Sequence, residues 1–161
     1  MLFEKATEKD AVELTELTLR SKAFWGYSPI QIEGWRDELT VTPNYIQSNQ
    51  VFKLIGKEII KGDIRGKVKG KVKGYYAFSI APTKVAKLDF LFVEPGQIGQ
   101  GYGQILLDNC IDRLKNYDVE RIVLDADPNA EKFYIKNGFS VIGQLPSSIE
   151  NRFLPIMERR L

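Results

Sequence analysis

Leu2 to Ala6 reads as a short first strand, after which the apolar spacing turns helical. Ala11, Leu14, Leu17 and Thr18 fall on one face of a helix that runs to about Ala23, and Thr7, with Asp10 three residues on, caps its start. Ser28-Pro29 is a second start signal, a cap followed by proline at the first helical position, for a helix to about Leu39. Thr42-Pro43 is a third, for a short helical turn ending near Asn49. Val51 to Ile60, Val72 to Ile80 and Val85 to Val93 are strand-like, the last two joined by an Ala81-Pro82-Thr83 turn.

Farther on, a helix fills Gly101 to Asn116, and Arg121 to Asp125 is a strand. Asp127-Pro128 caps a helix to about Asn137, which Gly138 stops. Phe139 to Gly143 and Phe153 to Arg159 complete the set. The order β-α-α-β-β-β-α-β-α-β-β predicts an α/β fold, a mixed sheet with helices on both faces. No internal boundary interrupts it, so residues 1–161 are expected to form a single domain. The doubled Lys-Val-Lys between Gly66 and Gly74 reads as a local duplication within one hairpin.

Composition then narrows the chemistry. Apolar residues make up 43% and charged residues 27%, and the 23 basic residues nearly cancel the 21 acidic ones, the balance of an ordinary globular protein. No apolar run approaches the roughly 20 residues that a membrane span needs, and the first residues lack a signal-peptide layout, so a cytoplasmic protein is expected. The chain contains 0 histidines, which removes Ser-His-Asp and Cys-His machinery and most zinc sites, and no metal is expected. The only cysteine, Cys110, sits among Ile105, Leu106, Leu107, Ile111 and Leu114 and reads as a buried small residue. Catalysis is left to carboxylates, tyrosines, lysines and backbone amides.

The informative stretch runs from Phe90 to Leu107. An apolar strand ends at Val93, Glu94-Pro95 breaks it, and Gly99, Gly101 and Gly103 open an amphipathic helix. Glycines let the backbone take φ > 0 and let a ligand approach with no Cβ in the way, and the first amides of a helix have no internal partner. Together these features bind phosphate or pyrophosphate. The P-loop string is absent, and the dinucleotide fingerprint fails in both registers, ending on Gln104 or Leu106 where glycine is required.

The segment resembles the pyrophosphate loop of the GNAT superfamily of N-acetyltransferases, V-x-P-x-x-[RQ]-x-x-G-x-[GA]. Val93, Pro95, Gly101 and Gly103 match, while Ile98 stands where the family prefers Arg or Gln. A second block, Asp127 to Phe139, is similar to the family's N-x-x-A-x-x-F-Y-x-x-x-G-F signature in shortened form, matching at Asn129, Ala130, Phe133, Tyr134, Gly138 and Phe139. The resemblance covers the second half of the chain through these motifs and the first half through element order. It implies the GNAT fold, a mostly antiparallel mixed sheet with splayed central strands. It also implies acetyl-CoA as co-substrate and direct transfer to a primary amine on a small molecule or peptide.

By the same resemblance, backbone near Phe92 and Val93 holds the pantetheine arm. The amides of Gly99, Gln100, Gly101, Tyr102, Gly103 and Gln104 take the pyrophosphate. Asn129 bonds the pantetheine, its alternative being a helix cap. Tyr134 is the general acid for the departing thiolate, its alternative a core tyrosine. For the base, Asp89 interrupts an apolar strand in register with Leu91 and Val93, with Glu94 as fallback; either is as well read as a surface carboxylate. Trp25, Tyr27 and Trp35 line the acceptor pocket or belong to the aromatic core.

The basic run from Lys53 to Lys73 invites a nucleic-acid reading. Alternation on a hairpin, with Val68 and Val72 on one side and lysines on the other, favours a solvated, protected sheet edge instead. No membrane or nucleic-acid partner is expected, and a homodimer is compatible with the sequence. The rival reading is a non-catalytic acyl-CoA-binding or regulatory domain, one that could touch RNA through the lysine-rich hairpin; a nicotinamide-binding domain comes third.

Overall fold

Thr7 does open the first helical segment, through the pairing its sequence promised. Its amide donates to the Asp10 carboxylate at 2.8 Å. In the computed structural model, which describes residues 1–59 and 68–161, a short 3₁₀ turn follows and leads into α1 (Ala11–Ala23). The inward stripe of α1 is Ala11, Leu14, Leu17, Thr18 and Ser21, all buried. The two hydroxyls of that stripe need partners. Thr18 Oγ1 donates to the Leu14 carbonyl at 2.7 Å and also meets the Tyr75 hydroxyl.

The Ser28-Pro29 start is real: the Ser28 side chain accepts from the Gln31 amide at 3.2 Å, and the Gln31 side chain accepts from the Ser28 amide at 3.0 Å. The expected single helix to Leu39 is, however, two short ones, α2 (Pro29–Gly34) and α3 (Arg36–Leu39), separated at Trp35. Trp35 leaves the helical region, with φ −100° and ψ 4°, while its indole is buried. α4 (Pro43–Ser48) begins where Thr42 accepts from the Tyr45 amide at 3.0 Å.

Seven strands follow from the remaining runs: β1 (Leu2–Lys5), β2 (Gln50–Ile59), β3 (Val68–Ala81), β4 (Val85–Val93), β5 (Arg121–Asp125), β6 (Ser140–Pro146) and β7 (Phe153–Arg160). They form one sheet in the order β1-β2-β3-β4-β5-β7-β6. β1 runs antiparallel to β2, and β7 antiparallel to both β5 and β6, whereas β4 and β5 are parallel. The connection from β4 to β5 carries α5 (Tyr102–Leu114), the crossover helix a parallel pair requires. α6 (Glu131–Lys136) lies between β5 and β6.

The chain packs as two compact units. The first holds Met1–Ala77 and Phe90–Asn109, and the second holds Phe78–Asp89 and Cys110–Leu161. The core of the first gathers Leu14 and Leu17 of α1, Val41, Ile46, Val51, Val72, Tyr75 and Phe90, with Tyr45 and Phe92 against it. In the second, Phe78, Ala86, Leu88, Leu114, Ile122, Leu124, Phe139 and Met157 are buried, and so is Cys110, whose thiol burial pushes up to about 12.

One expectation fails at the lysine run. Lys71 is exposed and Val72 buried, as the alternation requires, but Lys73 is also buried, at 8% exposure. Its aliphatic stem crosses Gly56, where an added Cβ would meet Lys73 Cε at 2.5 Å. A lysine stem covers apolar surface readily when a glycine leaves room for it, so the solvated face is not uniform along the hairpin. Lys61, Arg65 and Lys67 lie outside the described residues.

Candidate functional site

The end of β4 and the segment after it belong to the first unit. Along β4, Ala86, Leu88 and Phe90 are buried, while Lys87 is exposed and Asp89, Leu91 and Val93 are half-buried. Phe92 turns to the core, its ring 6.2 Å from that of Tyr75. Glu94 then leaves the strand through a turn over Pro95–Gln97, with the Gln97 amide donating to the Glu94 carbonyl at 2.8 Å.

Two of the three alternating glycines take the left-handed conformation that the sequence suggested. Gly99 has φ +83° and Gly101 φ +85°, and at neither would an added Cβ meet an atom within 4 Å. Gly103 does not: it lies inside the first turn of α5, within the helix expected from Gly101 onward, and has no positive φ. The difference is positional, because a residue already in the helix takes the ordinary right-handed backbone.

The first intrahelical bond runs from the Ile105 amide to the Gly101 carbonyl at 3.2 Å. Among the described residues, the amides of Gly99, Gly101, Tyr102 and Gly103 donate to no backbone carbonyl outside regular elements. They are the unspent donors at the start of a 13-residue helix, beside open space. Gln100 is held differently: its side chain donates to the Gly96 carbonyl at 3.2 Å. Gln104 bonds to Asp108 at 2.8 Å.

In the second unit, β4 and β5 pair over Val85–Lys87 and Arg121–Val123, and the ladder ends there although β5 continues to Asp125. Asp127 follows and caps the 3₁₀ turn that precedes α6. Its Oδ1 accepts from the Asn129 amide and from the Asn129 side chain, both at 2.9 Å. The capping role that the sequence left open for Asn129 is therefore taken by Asp127. Asn129 is exposed. Arg152 reaches Asp127 Oδ2 at 3.3 Å from beyond β6, a contact no local signal announces.

Tyr134 lies in α6 with its ring edge to face with those of Phe133, at 5.1 Å, and Phe139, at 5.4 Å. The helix ends through Gly138 at φ +84°, and the Phe139 amide donates back to the Tyr134 carbonyl at 3.0 Å. The ring is buried, yet among the described residues the hydroxyl makes no hydrogen bond and is not sealed from solvent. Burial, with the Cys110 sulfur adding to it, pushes the phenol above its ordinary value.

Glu94, the fallback base, is spoken for. Arg20 of α1 holds it side-on, Nε to Oε1 at 3.1 Å and Nη2 to Oε2 at 2.8 Å. Sequence offered no hint of this pair, whose partners stand far apart along the chain. Tyr27 and Trp35 stack edge to face at 4.9 Å, with the Lys22 ammonium about equally close to both rings, at 5.5 and 5.4 Å. Trp35 is core, whereas Trp25 is exposed.

Compared with known families, residues 44–156 match the Acetyltransferase (GNAT) domain. The chain belongs to the GNAT acetyltransferase family. It is thus an acyltransferase enzyme, and its seven-stranded, mostly antiparallel sheet with helices is the GNAT fold. Solved GNAT structures agree over nearly the whole chain. The PaiA N-acetyltransferase of Thermoplasma acidophilum, solved with coenzyme A, superposes with a TM-score of 0.72 at 19% identity, covering 99% of this chain and 98% of that one. A GNAT acetyltransferase of Staphylococcus aureus gives 0.66 at 20% identity over 99% and 98%. The IAA acetyltransferase of Bacillus cereus gives 0.65 at 16% over 99% of each. No curated protein sequence matches this GNAT chain. No helix among its described residues is long and apolar enough to cross a membrane.

Proposed function

We propose that this enzyme transfers an acetyl group from acetyl-CoA to a primary amine by direct attack in a ternary complex. The carrying observation is the start of α5: two glycines in the left-handed region, open space where their side chains would stand, and unspent amides on Gly99, Gly101, Tyr102 and Gly103. Those donors fit a pyrophosphate, the anionic end of coenzyme A, better than any cation or apolar group. Bound there, acetyl-CoA supplies an acetyl thioester open to attack by nitrogen.

The chain's own groups do the rest. Backbone at Phe92 and Val93 orients the pantetheine arm, and Asn129 adds a hydrogen bond to it. Asp89 removes the proton of the acceptor's ammonium, since Glu94 is occupied by Arg20. Tyr134 donates its proton to the departing sulfur, a role supported by a hydroxyl that is unspent among the described residues. Positioning and strand amides supply the remaining rate enhancement. The two units act as a single acetyltransferase domain, since the family match draws residues from both.

Titration calorimetry with acetyl-CoA and with NAD(P) tests the reading, followed by thiol-release assays across a panel of amines. Binding of acetyl-CoA alone is expected. Nicotinamide binding without coenzyme A binding would sink it.

A further inference from the structure

Glu94 is the last residue before the turn into the glycine loop, and its main chain is tethered on both sides. Its amide donates to the Lys73 carbonyl at 2.9 Å, and its carbonyl accepts from Gln97 at 2.8 Å. Its carboxylate is only 19% exposed and receives the Arg20 fork. From Glu94 through Asp112 the sequence contains no lysine or arginine, so the loop brings no cation of its own. Where the family pattern offers Arg or Gln, this chain has Ile98. The carboxylate at the start of the loop is therefore answered by a guanidinium that comes from α1 rather than from the loop itself.

We infer that Arg20 is a positioning residue for the anionic co-substrate, acting through Glu94 by cancelling its charge. The inference rests on the proposed use of the loop for coenzyme A. Two main-chain bonds already fix Glu94, so the guanidinium is not needed to hold the backbone. What it removes is the repulsion between a partly buried carboxylate and a pyrophosphate a few residues away. This makes the two partners opposite in effect, where a merely structural ion pair would make them alike. Losing the arginine bares a negative charge, whereas losing the acid bares a positive one.

The test measures acetyl-CoA affinity by calorimetry, with kcat and KM, for the unsubstituted enzyme, Arg20→Ala, Glu94→Gln and the double variant, each checked for folding by circular dichroism. Arg20→Ala is expected to weaken binding by roughly three- to tenfold, raising KM with kcat unchanged, and the loss should shrink at high salt. Glu94→Gln should bind at least as tightly as the unsubstituted enzyme, and adding it to Arg20→Ala should restore affinity. Equal losses in both single variants, or no loss in Arg20→Ala, overturn the inference while leaving the coenzyme A reading intact. If Arg20→Ala does not fold, Glu94→Gln decides alone, since weakened binding there contradicts charge cancellation. Failure of the unsubstituted enzyme to bind acetyl-CoA overturns both.

Discussion

Tyr134 combines two properties that seldom meet, a buried ring in contact with two phenylalanines and a hydroxyl with no hydrogen bond among the described residues. Because burial raises its pKa, the proton stays in place throughout the neutral range and beyond the ordinary value of 10. Tyr134→Phe keeps the packing, so acetyl-CoA affinity should hold while turnover falls roughly 10²–10⁴-fold. Undiminished turnover would leave Tyr134 as a packing residue. The pH–rate profile of the unsubstituted enzyme should likewise show no decline from Tyr134 below about pH 9.

Gly101→Val puts a β-branched residue at φ +85° beside the unspent amides, and should weaken acetyl-CoA binding far more than Asn129→Ala, which removes about one hydrogen bond or roughly 1 kcal/mol. Equal affinities for the unsubstituted enzyme and folded Gly101→Val would mean that the phosphates lie elsewhere. At this scale sequence motifs nominate residues without fixing their backbone states. Spacing alone cannot tell Gly101, just before the helix, from Gly103, just inside it.

Among the elements, the strands and the two long helices followed from periodicity and caps to within a few residues. Breaks were harder to read, since Trp35 interrupts a helix for the sake of burying its indole, a tertiary demand that local propensity does not record. Lys73 was misread for a similar reason: the space that admits its stem is created by Gly56 on another strand.

The start of α1 offers a pH test of what caps contribute. Burial raises the Asp10 carboxyl, but the Lys53 ammonium, at 2.8 Å, and the Thr7 amide outweigh it and leave it below its ordinary 3.8. Since the folded pKa is the lower one, the contribution is complete above about pH 4 and is lost as pH falls through the folded value. Asp10→Asn should therefore cost about 1 kcal/mol at pH 7 in urea denaturation, with the difference vanishing toward about pH 2. A cost that does not change with pH would assign the effect to packing.

For the molecule as a whole, the proposed single domain has a calorimetric signature. Heating should give one transition rather than two, and acetyl-CoA at one hundred times its Kd should stabilise it by about 2.7 kcal/mol, a shift of roughly 5–10 °C for a chain of this length. Two transitions, only one of them moved by the ligand, would argue that the units unfold independently.

Cys110 bears on how the enzyme can be assayed. It is the chain's only thiol, it is buried, and burial pushes it up to about 12, so at about pH 8 almost none of it is the reactive thiolate. A disulfide reagent such as Ellman's should therefore count zero thiols in the native enzyme and one after denaturation in guanidinium. With no background of its own, the enzyme can be used at concentrations comparable to acetyl-CoA, so that the first turnover is read directly as liberated coenzyme A. A burst of one equivalent would then show that release of a product, rather than acyl transfer, limits the steady state.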